Sequence, residues 1–183
     1  RVATTLMASA PRPLRLSYAG QVLRIASDQL APERERLQIG AELIGHDNIA
    51  AAQEVVRIAI EALVQAGATG ITVDLTLPDL VDTLASSAFP LPPGMIGAVR
   101  RELDMKDAGG LTALGADAYL PLLYAMGPFE AAIDALAAID AGGALASRIR
   151  ALREIVAALP DTGTVTLDPT ERHGFEYQSW FGF

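Results

Sequence analysis

The chain has no cysteine, which excludes disulfides, thiolate metal sites and a cysteine nucleophile within it. It also lacks any cluster of Lys and Arg. Against 22 acidic residues stand 14 basic ones, for a net charge of −8. Binding driven by phosphate charge needs grouped cations to displace counterions, so an electrostatic role on nucleic acid is disfavoured. No apolar run approaches the roughly 20 residues of a membrane span, and the first residues do not have the layout of a signal peptide. Histidine is scarce. His46 and His173 have no partner at ligand spacing, so a structural or solvated role fits each better than metal binding. Walker-type Gly-Lys-Ser/Thr, Gly-x-Gly-x-x-Gly, His-Glu-x-x-His and Gly-x-Ser-x-Gly patterns are all missing. What remains is 183 residues, 51% hydrophobic and 20% charged, the balance of a folded domain. The chain opens at Arg1 without a Met and closes on an aromatic-rich run at Phe183, so a piece of a longer chain is expected.

The most informative stretch runs from Arg34 to Gly45. Leu37, Ile39, Ala41 and Leu43 alternate with Arg36, Gln38, Gly40 and Glu42. Strand side chains point to opposite faces in turn, so this spacing predicts a strand with one core face and one polar face. Gly40, between Gln38 and Glu42, is expected to leave room for a small ligand near the backbone. On pattern alone such a row is more often a solvated face than a binding wall. Upstream, Leu14, Leu16 and Tyr18 alternate with Arg15 and Ser17, and Val22 to Ala26 continues the run. The polar stretch Ser27 to Glu35 then returns the chain as a long antiparallel hairpin, with Arg24 and Arg34 on either side of its mouth.

Asp47-Asn48 caps a helix over Ile49 to Ala66 that Gly67 ends. Its polar residues Glu54, Arg57, Glu61 and Gln65 form one narrow stripe, so most of this helix is expected to be buried. Ile71 to Leu75 reads as a strand and Pro78 to Ala85 as a short helix. Ser86 to Leu159 is rich in Ala, Leu, Gly and Pro at helical spacing. Helices are expected near Gly94 to Leu103, Lys106 to Leu114, Asp117 to Tyr124, Phe129 to Ile139 and Ala144 to Leu159. Thr164 to Leu167 returns to strand, and His173 to Phe183 is aromatic and strand-like. Acidic and amide groups with aromatic neighbours suit a small zwitterion or cation better than a phosphate.

These residues resemble a family. The hairpin from Leu16 to Arg24, followed by Arg34, Gln38, Glu42 and Gly45, is similar to the second signature motif of class II aminoacyl-tRNA synthetases in its histidyl form. The tail from Arg172 to Phe183 is similar to the histidine-binding Arg-Gly-Leu-Asp-Tyr-Tyr motif of those enzymes. The resemblance implies an α+β fold, a class II synthetase-like antiparallel sheet flanked by helices, with 1–183 as a single core and a helical insertion over 86–159. The family's first motif, which builds its dimer interface, would precede Arg1.

Departures from the motif indicate the branch. Gapless alignment places His173 where the synthetases carry the arginine that assists activation. Arg172 is one residue off, which in a strand reverses the side chain's face. Ala26 replaces an acid and Arg36 replaces the aromatic that stacks on adenine, while Glu176 and Gln178 stand for Asp and Tyr. Removing preorganised charge at a reacting phosphate costs orders of magnitude in rate, so adenylate chemistry is expected to be lost. Gln38, Glu42 and Tyr177 match residues that hold histidine. The pattern is similar to the regulatory subunits of ATP phosphoribosyltransferase, a non-catalytic family with the synthetase fold. That resemblance implies a cytoplasmic protein with no cofactor, no metal, no nucleic acid and no membrane. Its implied partner is the short-form ATP phosphoribosyltransferase catalytic subunit, its implied effector histidine, and its assembly a homodimer within a hetero-oligomer. The implied histidine-binding residues are Gln38, Glu42, Glu176 and Tyr177, with Arg24 and Arg34 as candidate anion contacts. The alternative is a diverged histidyl-tRNA synthetase that still activates histidine.

Overall fold

A computed structural model describes residues 2–23, 25, 33–160, 163–172, 174–175 and 180–183. Residues Arg1–Ala59 and Ile60–Phe183 form two compact units. The first holds a 3-10 turn at Val2–Thr4 and the hairpin of β1 (Leu14–Leu23) and β2 (Glu35–Ile44). The two strands are antiparallel, with Leu14 opposite Ile44, Tyr18 opposite Gly40 and Leu23 opposite Glu35. α1 (Ile49–Gln65) follows, with the Asn48 side chain accepting from the Ala51 N–H at 2.9 Å as its cap.

Residues directly opposite in an antiparallel pair share a side. The register therefore places the apolar residues of β1, Leu14, Leu16, Tyr18 and Val22, on the same side as Arg36, Gln38, Gly40 and Glu42 of β2. The other side pairs Leu37, Ile39 and Ala41 with Gln21, Ala19 and Ser17. Leu37 and Ile39 are 69% and 73% exposed, which corrects the expected core face. Alternation marks which residues share a side; only an overlying layer decides which side is core.

Gly40 has a different purpose from the one its spacing suggests. The Tyr18 phenol lies over it, and a Cβ there would clash with the ring. The space expected for a ligand is thus occupied by a cross-strand aromatic. At the hairpin base Gly45, at φ +100, lies under the Arg12 side chain. The Arg12 guanidinium donates to the Met7, Ala10 and Ala3 carbonyls. Arg15 pairs with Glu54 on α1 through two contacts, one of them Nη2 to Oε2 at 2.8 Å. That hydrogen bond is the main reason the Glu54 carboxyl sits below its ordinary range.

α1 departs from the mostly buried helix expected. Ala52, Val56 and Ile60, spaced by four, are buried, while Ile58, Leu63 and Val64 are exposed. Only one narrow stripe of its broad apolar surface is covered.

The second unit is organised on a three-stranded sheet. β5 (Gly163–Leu167) lies at its centre, parallel to β3 (Ile71–Leu75) and antiparallel to the two-residue β4 (Gly127–Pro128). Parallel neighbours need a long crossover, and residues 76–162 supply it. The crossover contains α2 (Leu80–Ala85), α3 (Pro93–Asp104), α4 (Ala108–Ala113), α5 (Phe129–Ile139) and α6 (Ala146–Ala157). Asp117–Tyr124 is a 3-10 helix rather than an α-helix, with Pro121 inside it. The core is built from Leu75, Leu84, Leu103, Leu122, Ile133 and Leu152, each at most 1% exposed. No described helix is long and apolar enough to cross a membrane.

Tyr119 anchors this core. Its ring meets Phe89 edge-on at 5.6 Å, and its hydroxyl donates to the Phe89 carbonyl at 2.7 Å. Burial pushes its pKa up to about 12. Tyr119→Phe leaves that carbonyl without its donor and is expected to cost about 1–3 kcal/mol in chemical denaturation. Gly40→Ala is expected to displace the Tyr18 ring at a cost of about 1–3 kcal/mol, as overpacking does. Most of that cost should vanish in a Tyr18→Ala background; equal costs in both backgrounds would show that the ring is not what Gly40 accommodates.

Candidate functional site

Gln38 and Glu42 stand on the same side of β2, separated by Gly40, and both are exposed. The Gln38 amide Nε2 donates to the Tyr18 hydroxyl at 3.0 Å. Along this side the chain presents an amide, a phenol lying over a glycine, and a carboxylate. Tyr18 is the member that sequence reasoning left out of the row. Its signal was available in the hairpin pairing, since a glycine opposite an aromatic is a common way of seating the ring. Chemically the row offers Glu42 as an acceptor for an ammonium, and Gln38 and Tyr18 as neutral hydrogen-bonding groups. Arg36 lies on the same side, half-buried, opposite Val22. Arg34 is exposed just before β2. Arg24, Ala26, His173, Glu176, Tyr177 and Gln178 lie outside the described residues.

In the second unit the chain is tied to the end of β3 both before the tail motif and near the motif's end. The Asp168 N–H donates to the Leu75 carbonyl at 2.9 Å, and Thr76 and Gly182 exchange N–H···O bonds of 3.0 and 3.1 Å. The Thr76 hydroxyl donates to the Glu171 carbonyl. Between these ties the Phe175 N–H closes a turn on the Arg172 carbonyl at 2.8 Å, with Gly174 at φ +85. The expectation of a strand from His173 to Phe183 gives way, among the described residues, to this turn and a single bridge at Gly182.

Arg172 directs its Nε–H to the Pro78 carbonyl at 2.8 Å, so its guanidinium holds the approach to α2. Nearby, Arg100 Nε and Asp104 Oδ1 are buried without a hydrogen-bond partner. Burial is the main cause of the upward shift of the Asp104 carboxyl and of the downward shift of the Arg100 guanidinium; Arg172 and Lys106 partly offset the first. Among the described residues no group of three or more His, Asp or Glu side chains is placed to hold a metal ion. An open groove beside α5 and α6, lined by Ala137, Ala146, Ile149 and Ala157, contains ion-paired arginines and no catalytic constellation.

Curated relatives named ATP phosphoribosyltransferase regulatory subunit, from Rhodospirillum centenum and Rhodospirillum rubrum, are each 43% identical over 190 aligned positions. The alignments cover all of this chain and 49% of each relative, so the chain spans about half the length of the curated relatives it matches. A solved ATP phosphoribosyltransferase regulatory subunit/histidyl-tRNA synthetase from Bacillus halodurans matches with a TM-score of 0.81 at 22% identity, over 98% of this chain and 49% of that one. A chain of the ATP phosphoribosyl transferase (HisG:HisZ) complex from Thermotoga maritima matches with a TM-score of 0.74 at 16% identity, over 99% and 68%. At these identities the structures establish the fold, which is the class II synthetase-like α+β fold. The family model described as Histidyl-tRNA synthetase matches residues 1–183, and the chain therefore belongs to the histidyl-tRNA synthetase family.

Proposed function

We propose that this chain is the synthetase-like core of a regulatory subunit of ATP phosphoribosyltransferase. In this reading it performs no catalysis, activates a short-form catalytic subunit, and takes part in histidine feedback on the first step of histidine biosynthesis. The observation that carries the reading is the 43% identity, across the whole chain, to curated relatives with that name. The substituted activation residues support it: Ala26, Arg36 and His173 stand where an acid, an adenine-stacking aromatic and an arginine would serve adenylate formation.

Histidine is the effector in this proposal. Glu42 accepts from its ammonium, Gln38 reaches its other polar atoms, and Glu176 and Tyr177 meet the imidazole side. Arg24 and Arg34 are candidate anion contacts. The subunit works as a homodimer within a hetero-oligomer, in the cytoplasm. A ligand shifts an assembly only through the difference in its affinity for two states, so feedback requires histidine affinity to change when the catalytic subunit binds.

The family model also favours a second reading, a diverged histidyl-tRNA synthetase. Histidine-dependent exchange of pyrophosphate into ATP separates the two, and no exchange is expected. Calorimetric titration of the full-length protein with histidine, alone and with the catalytic subunit, is expected to give two different affinities. Glu42→Ala should cost about 1.5–3 kcal/mol of binding, the range for a hydrogen bond to a charged group. Gln38→Ala should cost about 0.5–1.5 kcal/mol. Equal weak heats with and without the partner, unchanged in Glu42→Ala, would overturn the reading.

A further inference from the structure

Within the second unit, α5 and α6 each bury one face. Ala132, Ile133 and Leu136 of α5 and Ala151, Leu152 and Ile155 of α6 belong to the core. On the outer side, part of the surface lacks the long polar side chains that usually cover a surface helix. Ala137, Ala146 and Ala157 are exposed, and with Asp140, Gly143 and Ile149 they line an open groove of about 520 Å³. Side chains this small let the backbone of another element come close.

Asp140 is the unusual member of the lining. It caps the end of α5, is 6% exposed, and accepts through Oδ2 from the buried Leu145 N–H at 2.7 Å. That bond ties the carboxylate to the start of α6 and fixes its orientation. Its Oδ1 is buried with no hydrogen-bond partner. Arg100 Nε and Asp104 Oδ1 share this condition, but those two residues are half-buried and lie on one helix, α3. A carboxylate oxygen taken out of water and given no donor costs the desolvation of a charged group, and a cation brought to it offsets that cost. The arginines of the groove are directed elsewhere. Arg153 donates to Asp134 at 2.5 Å, and Arg150 faces Glu154 at 3.8 Å.

Charge selects the occupant. The open acceptor calls for an ammonium or a guanidinium, on a stem that can lie along alanine. A second copy of this chain brings a net charge of −8 and is repelled as a whole. A different protein with a Lys or Arg at the contact is complementary. We propose that the α5–α6 groove is a docking surface for the catalytic subunit, which seats one Lys or Arg side chain against Asp140. The proposal rests on the regulatory-subunit reading above and gives that reading an interface.

The test is calorimetric titration of the full-length protein with the short-form catalytic subunit, in Asp140→Asn, Ala146→Trp and Asp134→Asn variants that thermal scans show to be folded. Asp140→Asn keeps an oxygen for the Leu145 N–H and puts an amide donor in place of Oδ1. It is expected to weaken association roughly 10- to 150-fold, the range for a hydrogen bond to a charged group. Ala146→Trp fills the groove from an exposed position and should weaken association as well. Asp134→Asn removes an exposed neighbouring charge and should change the affinity by at most about 5-fold. Wild-type affinity in either Asp140→Asn or Ala146→Trp would overturn the proposal and leave the regulatory reading standing. An equal loss in Asp134→Asn would overturn it too, since it would mark long-range attraction rather than a seat. So would a large drop in the melting temperature of the isolated Ala146→Trp protein, because the rest of its own chain would then cover the groove. Absence of any association in the wild-type protein would instead remove the regulatory reading, and this proposal with it.

Discussion

The register of the β1–β2 hairpin is the constraint on which the candidate site depends. Strand side chains alternate with a period of two, so a slip of one residue would move every member of the row to the opposite side. The observed pairing sets Tyr18 against Gly40, and the ring settles into the place where the glycine has no side chain. From there its hydroxyl meets the Gln38 amide. Gly40 therefore acts twice. It admits the ring, and the ring then braces the amide on one side of it, with the Glu42 carboxylate on the other.

A comparable economy of contacts holds the second unit. The end of β3 receives the chain before the tail motif, at Leu75, and again near the motif's end, where Thr76 bridges Gly182. Backbone hydrogen bonds fix those two points, but the turn between them is fixed by side chains: Thr76 on the Glu171 carbonyl, Arg172 on the Pro78 carbonyl, and Lys106 on Asp168 and Thr170. Arg172 shows how one position in sequence separates two roles. In register with the synthetase arginine it would serve a ligand; one residue earlier, it ties down the loop before α2.

In the proposed function, the synthetase fold has its chemistry reduced to binding. Acceptors for an amino-acid ammonium are cheap to retain, because they need only a carboxylate on a rigid strand. Activation of a carboxylate by ATP needs several charges preorganised around a reacting phosphate, and losing any of them is costly in rate. Under the proposed function, the substitutions at Ala26, Arg36 and His173 fall on the second set and spare Gln38 and Glu42. The acidic net charge fits as well, since a polyanion is not attracted to such a surface.

Much of the architecture was legible residue by residue. Gly67, Pro78, Gly127-Pro128 and Gly142-Gly143 marked element ends that the structure retains within a few positions, and Phe129–Ile139 is a helix over the same bounds as its spacing predicts. The parallel pairing of β3 with β5, the short β4 edge and the 3-10 helix around Pro121 were not, because they depend on where the crossover returns. Sequence by itself determined the local periods, the cap residues and the family motif, since these follow from the chemistry of neighbours along the chain. Tertiary structure alone decided that Leu37 and Ile39 face outward, that Tyr18 fills the gap at Gly40, and that Lys106 reaches Asp168. Each of those is a contact, or a missing contact, between residues far apart in sequence, and periodicity along one strand carries no information about what lies across from it.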